Sequence, residues 1–200
     1  TAAINPPMAS ILRGVVIPPY GGDTQWTDLA AAYRGLSEPL QKFLCELRAV
    51  HAFSAPPLSS KGDDDYELSV RNRKMISEHP VVTVHPETGQ RVLYVNPQFT
   101  KSIAGLSRHE SRALLELLWR QIIRPEYTVR FRWNAGDVAF WDNRATAHLA
   151  PVDIFATEWD RQLYRVTISG VPPVGVDGSA SVAIEGEPIL PVEEEPLSKG

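Results

Sequence analysis

Proline and glycine punctuate this sequence from end to end: seventeen prolines and thirteen glycines fall among 200 residues. Proline removes a backbone donor and glycine weakens the interior of a helix or strand, so their spacing leaves room mainly for short elements joined by turns. The segments between them are rich in β-branched and aromatic residues, which favours strands. The chain therefore reads as mostly β with flanking helices. Its length suits one domain with a sizeable core. Residues 1–184 are expected to form the major part of that domain, and 185–200, with Glu193-Glu194-Glu195 set among prolines, an acidic solvated tail.

Composition narrows the function classes. Twenty Lys and Arg stand against 24 Asp and Glu, a formal charge of −4, so the sequence carries no basic footprint for nucleic acid. No run nears the ~20 apolar residues of a membrane span. The opening Thr1-Ala2-Ala3-Ile4-Asn5-Pro6-Pro7 has no basic stretch leading an apolar one. Neither nucleic acid nor membrane is an expected partner. The single cysteine, Cys45, cannot form an intrachain disulfide or a four-cysteine zinc site, which makes the reducing cytoplasm the expected compartment.

Periodicity places the elements. Residues 10–17 read as a strand closed by Pro18-Pro19-Tyr20-Gly21-Gly22, with Asp23-Thr24-Gln25-Trp26 as a short edge segment. Behind Ser37 and Pro39, the helical spacing of Leu36, Leu40, Phe43, Leu44 and Leu47 predicts a helix over 38–49. Residues 54–78 lack a clean apolar period and read as a mobile surface loop with some helix. A hairpin follows at 81–84 and 91–95 around His85-Pro86-Glu87-Thr88-Gly89. Ser107-Arg108-His109-Glu110 is a capping box opening a helix through about Ile123, stopped by Pro125. Three more strands are expected at 128–133, 137–141 and 162–169.

Five histidines and two arginines are the candidates for chemistry. His109, in a capped first turn, and His79, just before a strand, have structural explanations. His51 follows the apolar helix with nothing at ligand spacing. His85-Pro86-Glu87 has the form that supplies two ligands of a non-haem iron facial triad. The Pro and Gly of its turn explain it without a metal, and leave the polar pair exposed. His148 lies beyond the apolar strand at 137–141. Arg161 and Arg165, four apart, share one face of a strand at roughly 13 Å and call for anions. Ordinary surface ion pairs would also satisfy them.

These residues lie in runs that resemble a known family. Gly21-Gly22-Asp23-Thr24-x-Trp26, His79-Pro80-Val81-Val82, His85-Pro86-x-Thr88-Gly89, Leu93-Tyr94-Val95-Asn96-x-x-Phe99-Thr100 and Gly136-Asp137-x-Ala139-x-Trp141-Asp142-Asn143-Arg144-x-Thr146-x-His148 are similar to those of the taurine dioxygenase-like iron(II)- and 2-oxoglutarate-dependent dioxygenases. The likeness extends over nearly all of residues 1–175. It implies a double-stranded β-helix, a cupin-like jelly roll, in agreement with the strand-rich reading.

The resemblance also implies roles. His148 would be the distal iron-binding histidine. Arg161 would grip the distal carboxylate of 2-oxoglutarate with a bidentate fork, joined by Thr24. Arg165 would face the anionic head of the substrate, and Phe99 would be an apolar wall beside it. The implied cofactors are iron(II), 2-oxoglutarate and O2, and the implied partner is a small anionic organic substrate, with a homo-oligomer left open. The expected reaction is hydroxylation of a small sulfonate such as taurine, releasing sulfite, succinate and CO2. Alkylsulfates or phenoxyalkanoates are the alternatives within the family, and a non-catalytic 2-oxoglutarate-binding or scaffold protein the alternative outside it.

Three departures accompany the likeness. The family's other two iron ligands come from a His-x-Asp motif expected just upstream of the segment that residues 1–7 match, so these 200 residues supply one ligand of three. The interval from His148 to Arg161 is two residues longer than in taurine dioxygenase itself, an excess that the loop Phe155-Ala156-Thr157-Glu158 can absorb. Ala55-Pro56-Pro57 differs from the family's lid sequence, which bears on the substrate rather than on the reaction.

Overall fold

The computed structural model describes residues 1–53, 74–154 and 157–190. Most of the expected loop at 54–78, with Ala55-Pro56-Pro57, lies outside the described residues, as do Phe155-Ala156 and the tail from 191 onward.

Two three-stranded antiparallel sheets frame the interior. In the first, β1 (Ala9–Val16) runs between β9 (Val138–Asp142) and β11 (Gln162–Ile168). In the second, β2 (Thr24–Asp28) runs between β8 (Thr128–Phe131) and β10 (Thr146–Leu149). Trp26 of the second sheet meets Trp141 of the first with ring centroids 5.4 Å apart, so these faces pack on each other. The opposite face of the first sheet turns Val138, Phe140, Tyr164 and Val166 to solvent. A four-stranded sheet of β3 (Arg48–Ala52), β4 (Ile76–Pro80), β7 (Thr100–Ile103) and β12 (Val182–Glu185), in the order β12-β4-β3-β7, and the hairpin of β5 (Val82–Val84) and β6 (Arg91–Leu93) complete the strands.

Among the described residues three α-helices pack against the core. α1 (Leu29–Arg34) follows β2 without a loop, because Asp28 Oδ1 accepts from the amides of Ala30 and Ala31 at 2.8 and 2.9 Å and caps the helix as the strand ends. α2 (Glu38–Leu44) and α3 (Arg108–Ile122) follow. α3 opens with the expected capping box: Ser107 Oγ accepts from Glu110 N, and Glu110 Oε2 accepts from Ser107 N. Its Leu115, Leu118 and Ile122 join Tyr33, Leu44, Val82 and Leu93 in one buried apolar cluster.

The structure corrects several element assignments. The helix expected over 38–49 ends at Leu44, and Arg48 already begins β3, which pairs with β4 on one side and β7 on the other. Leucine spacing continues past the end of the helix, but partner strands on both flanks decide the conformation. Thr24-Gln25-Trp26 is central rather than an edge, since β8 and β10 pair with both its sides. His79 lies within β4, not before a strand, and is fully buried. His148 stands on β10 itself, opposite Trp26.

Candidate active site

The two sheets bring His148 and Arg165 together over one aromatic ring. Residues directly opposite in an antiparallel pair share a face. Arg165 pairs with Leu12, and Ser10 with both Thr167 and Trp141, so Arg165, Ser10 and Trp141 project to the same side of the first sheet. The Arg165 guanidinium carbon sits 6.0 Å from the centroid of Trp141, and its Nη2 donates to Ser10 Oγ at 3.2 Å. From the facing sheet the His148 ring reaches within 5.0 Å of Trp141. The side chain of His148 remains open to solvent, yet its pKa is pushed down to about 4, first by desolvation and then by the charge of Arg165. The imidazole is therefore neutral near pH 7 and keeps a nitrogen lone pair for a ligand bond.

Arg161 and Thr24 form the second half of the site. Arg161 stands one residue before β11, where its Nε donates to Gly22 O at 2.6 Å and its Nη2 to Thr24 Oγ1 at 3.5 Å. Thr24 is buried, and its hydroxyl oxygen also accepts from Trp133 Nε1 at 2.9 Å. Among the described residues neither Arg161 nor Arg165 has a carboxylate within ion-pair distance. Burial lowers the pKa of both below that of free arginine, an effect that Asp153 and Asp23 oppose at Arg161. Two partly desolvated cations without anions fit an anionic ligand better than the surface ion pairs that the spacing had left open.

Phe99 stands just before β7 of the four-stranded sheet, and the structure records no contact between it and the residues above. Its ring stacks on Phe53 at 6.5 Å, and its amide donates to Asn96 Oδ1 at 2.8 Å. The arrangement so far is a pair of facing sheets that carry a neutral imidazole, a buried hydroxyl and two guanidiniums without a carboxylate partner among the described residues.

A model of the taurine catabolism dioxygenase TauD, TfdA family matches residues 1–167. The chain belongs to this family. An alpha-ketoglutarate-dependent sulfate ester dioxygenase of Pseudomonas putida is 48% identical over 88% of this chain and 59% of that protein. An alkylsulfatase of Acinetobacter baylyi is 39% identical over 86% of this chain and 55% of that protein. The crystal structure of a taurine dioxygenase from Burkholderia xenovorans superposes with a TM-score of 0.84 at 62% identity, over 94% of this chain and 61% of that one. The fold is thus the double-stranded β-helix jelly roll of TauD-type dioxygenases. The chain spans less than two thirds of the length of these relatives.

The donor set in the described part of this TauD family chain does not make an iron site by itself. No group of three His, Cys, Asp or Glu side chains converges among the described residues, and His148 is a single donor. His85-Pro86-Glu87 is the turn that its Pro and Gly suggest, but the expectation that both polar residues are exposed is half wrong. His85 is buried, with Nε2 3.0 Å from Asp142 Oδ2, while Glu87 stays at the surface and accepts from Arg144 at 2.9 Å. Burial raises the Asp142 pKa, but hydrogen bonds from Arg144 and His85 outweigh it and bring the carboxyl to about 2. The pair ties the hairpin to β9.

Two contributors to the site, Trp133 and Asp153, lie outside the TauD family motifs, and a third, Trp26, stands in one of them without a role assigned to it. Trp133 fixes the lone pairs of Thr24. Trp26 holds a buried Nε1–H with no partner among the described residues. Asp153 accepts from Gly22 N at 3.0 Å. Trp133 and Trp26 were visible as aromatic residues in strands, but an indole donor looks no different from core in a sequence. Asp153 reaches its partner across 131 residues of chain.

Proposed function

We propose that this protein is a 2-oxoglutarate-dependent dioxygenase acting on a small organic anion with a sulfur oxyanion head, a sulfonate such as taurine or a sulfate ester. The observation that carries the reading is the pair of guanidiniums without carboxylate partners among the described residues, Arg161 beside buried Thr24 and Arg165 beside His148. Arg161 and Thr24 suit the distal carboxylate of 2-oxoglutarate, because a planar fork and a hydroxyl present several donors to one group. Arg165, never deprotonated near neutrality, suits a head group whose charge is permanent there. Phe99 is assigned to the apolar wall along the substrate.

His148 would contribute one nitrogen ligand to the iron that such a reaction requires, and the remaining donors must come from elsewhere. The overall reaction converts 2-oxoglutarate and O2 to succinate and CO2 and places a hydroxyl on the carbon bearing the sulfur group. That carbon then becomes an aldehyde. Sulfite leaves from a sulfonate, and sulfate from a sulfate ester.

The relatives support the shared chemistry and divide on the head group, so the test has two arms. Incubating the protein with iron(II), ascorbate, 2-oxoglutarate and a panel of taurine, longer alkylsulfonates, alkylsulfates and phenoxyacetates reads succinate together with sulfite or sulfate. Sulfite release selects the sulfonate and sulfate release the ester. Coupling only to aryloxy acids refutes the sulfur reading. No succinate with any member, in iron-loaded protein, refutes the catalytic one.

A further inference from the structure

A guanidinium that must receive a ligand's carboxylate faces two hazards: it can swing away, or it can be captured by a carboxylate of the protein. Both are present at Arg161. Asp23 and Asp153 lie close enough for their charges to act on it, and its own backbone precedes β11 rather than lying within the strand.

We propose that Arg130 and Asp153 form a clamp that holds Arg161 aimed and unpaired for the cosubstrate carboxylate. The inference rests on the assignment of Arg161 to 2-oxoglutarate and names positioning residues for that site. Arg130, on the outward face of β8, takes both aspartates: its Nε donates to Asp23 Oδ2 at 2.6 Å and its Nη2 to Asp153 Oδ2 at 2.7 Å. Neither aspartate then reaches Arg161 within ion-pair distance.

The other oxygen of Asp153 accepts from Gly22 N at 3.0 Å, and Gly22 O in turn accepts from Arg161 Nε at 2.6 Å. A single residue, through the N–H of one peptide group and the C=O of the next, thus transmits the position of Asp153 to the guanidinium. Gly21 and Gly22 have φ of +73° and +66°, the left-handed region that glycine enters without strain. A β-carbon on Gly22 would come within 2.8 Å of Arg161 Cδ, and one on Gly21 within 3.4 Å of the Asp153 carboxylate. The pair of glycines is the only one in the sequence, and here both neighbours crowd it from outside.

Exposed ion pairs contribute little to stability, and more than half of the Arg130 side chain is exposed. Its effect should therefore fall on ligand geometry more than on folding.

The test compares Asp153→Ala, Asp153→Asn and Arg130→Ala with Arg161→Ala in the whole protein. It reads KM for 2-oxoglutarate, kcat, KM for the anionic substrate, and Tm. The expected result for Asp153→Ala and Arg130→Ala is a rise of about tenfold in KM for 2-oxoglutarate. That rise should exceed any fall in kcat, while substrate KM and Tm stay near wild type. Asp153→Asn keeps an acceptor for Gly22 N and should recover part of the loss. If Arg161→Ala raises KM for 2-oxoglutarate and neither Asp153→Ala nor Arg130→Ala does, the clamp is overturned and the cosubstrate site stands. A KM unmoved by all of them, Arg161→Ala included, overturns the cosubstrate reading itself. A fall in Tm and kcat with an unmoved KM in the Asp153 and Arg130 variants assigns those residues to folding alone, and also overturns the clamp.

Discussion

Replacing Arg161 with alanine removes three interactions at one stroke: the Nε contact to Gly22 O, the Nη2 contact to Thr24 Oγ1, and the fork offered to an incoming carboxylate. Hydrogen bonds to charged groups contribute roughly 1.5–3 kcal/mol each. Arg161 is only half-buried, so water replaces part of what is lost, and two such bonds to 2-oxoglutarate should come to about 2–4 kcal/mol. At 1.4 kcal/mol per decade, that is roughly a 30-fold to 1,000-fold weaker binding of 2-oxoglutarate. Lysine retains the charge but not the fork, and should recover about one decade. The assay is titration calorimetry with 2-oxoglutarate, alongside KM from succinate formation. Thr24 keeps its bond from Trp133 in the variant, so loss of the hydroxyl's orientation would not explain the effect. An affinity within about threefold of wild type would falsify the assignment and shift the cosubstrate carboxylate to Arg165 or to another group.

Arg165→Ala should raise KM for the sulfur oxyanion by roughly 10- to 150-fold, the value of one charge-assisted contact. It should leave slow, uncoupled turnover of 2-oxoglutarate in place, and an unchanged substrate KM counts against it. Acid should weaken the fold well above the carboxylate range. Buried His51 and His79 have pKa values pushed below 6.5 by desolvation, His79 to about 4, so both are neutral in the fold, and the stability this reflects is full above pH 6.5 and lost as pH falls toward 4. Each contributes a slope of up to about 1.4 kcal/mol per pH unit in that window. A Tm unchanged between pH 7 and pH 5 would contradict this. Ser107→Ala should cost about 1 kcal/mol, a drop of about 2–4 °C in Tm, through loss of the capping box, with 2-oxoglutarate affinity unaltered. A Tm within 0.5 °C of wild type would show that the box is dispensable.

Local chemistry was legible and long-range pairing was not. The capping box at Ser107 and Glu110, the hairpin around His85 to Gly89 and the strand ending in Trp141 each announce themselves within a few residues, and each is present. The helix expected over 38–49 overruns the start of β3 because Leu44 and Leu47 continue a helical period, whereas the strand's conformation depends on β4 and β7, which lie some 30 to 50 residues further along the chain. α1 went unread because Leu29-Ala30-Ala31-Ala32-Tyr33-Arg34 is too short for a period to emerge, although Asp28 at its cap is a local signal that was there to use. At the site, His148, Arg161, Arg165 and Thr24 came from motif likeness; the structure sets Arg161 beside Thr24 and Arg165 beside His148. Trp133 and Asp153 act through bonds that span 109 and 131 residues, and no spacing rule reaches that far.

Strand β2 carries two responsibilities in five residues. Thr24 and Trp26 look toward the facing sheet, and Asp28, two further on, caps α1, whose Leu29, Ala30 and Tyr33 are part of the core. A slip of one position against β8 and β10 would turn Gln25 and Thr27 inward, Thr24 outward, and pull the Asp28 carboxylate off the helix start. Mispaired chains would thus lose the hydroxyl proposed to bind the cosubstrate and the anchored helix in the same event. With Thr24 in its proposed role, binding of 2-oxoglutarate would report on strand pairing as well as on the site: chains with this strand out of register would be absent from the bound population.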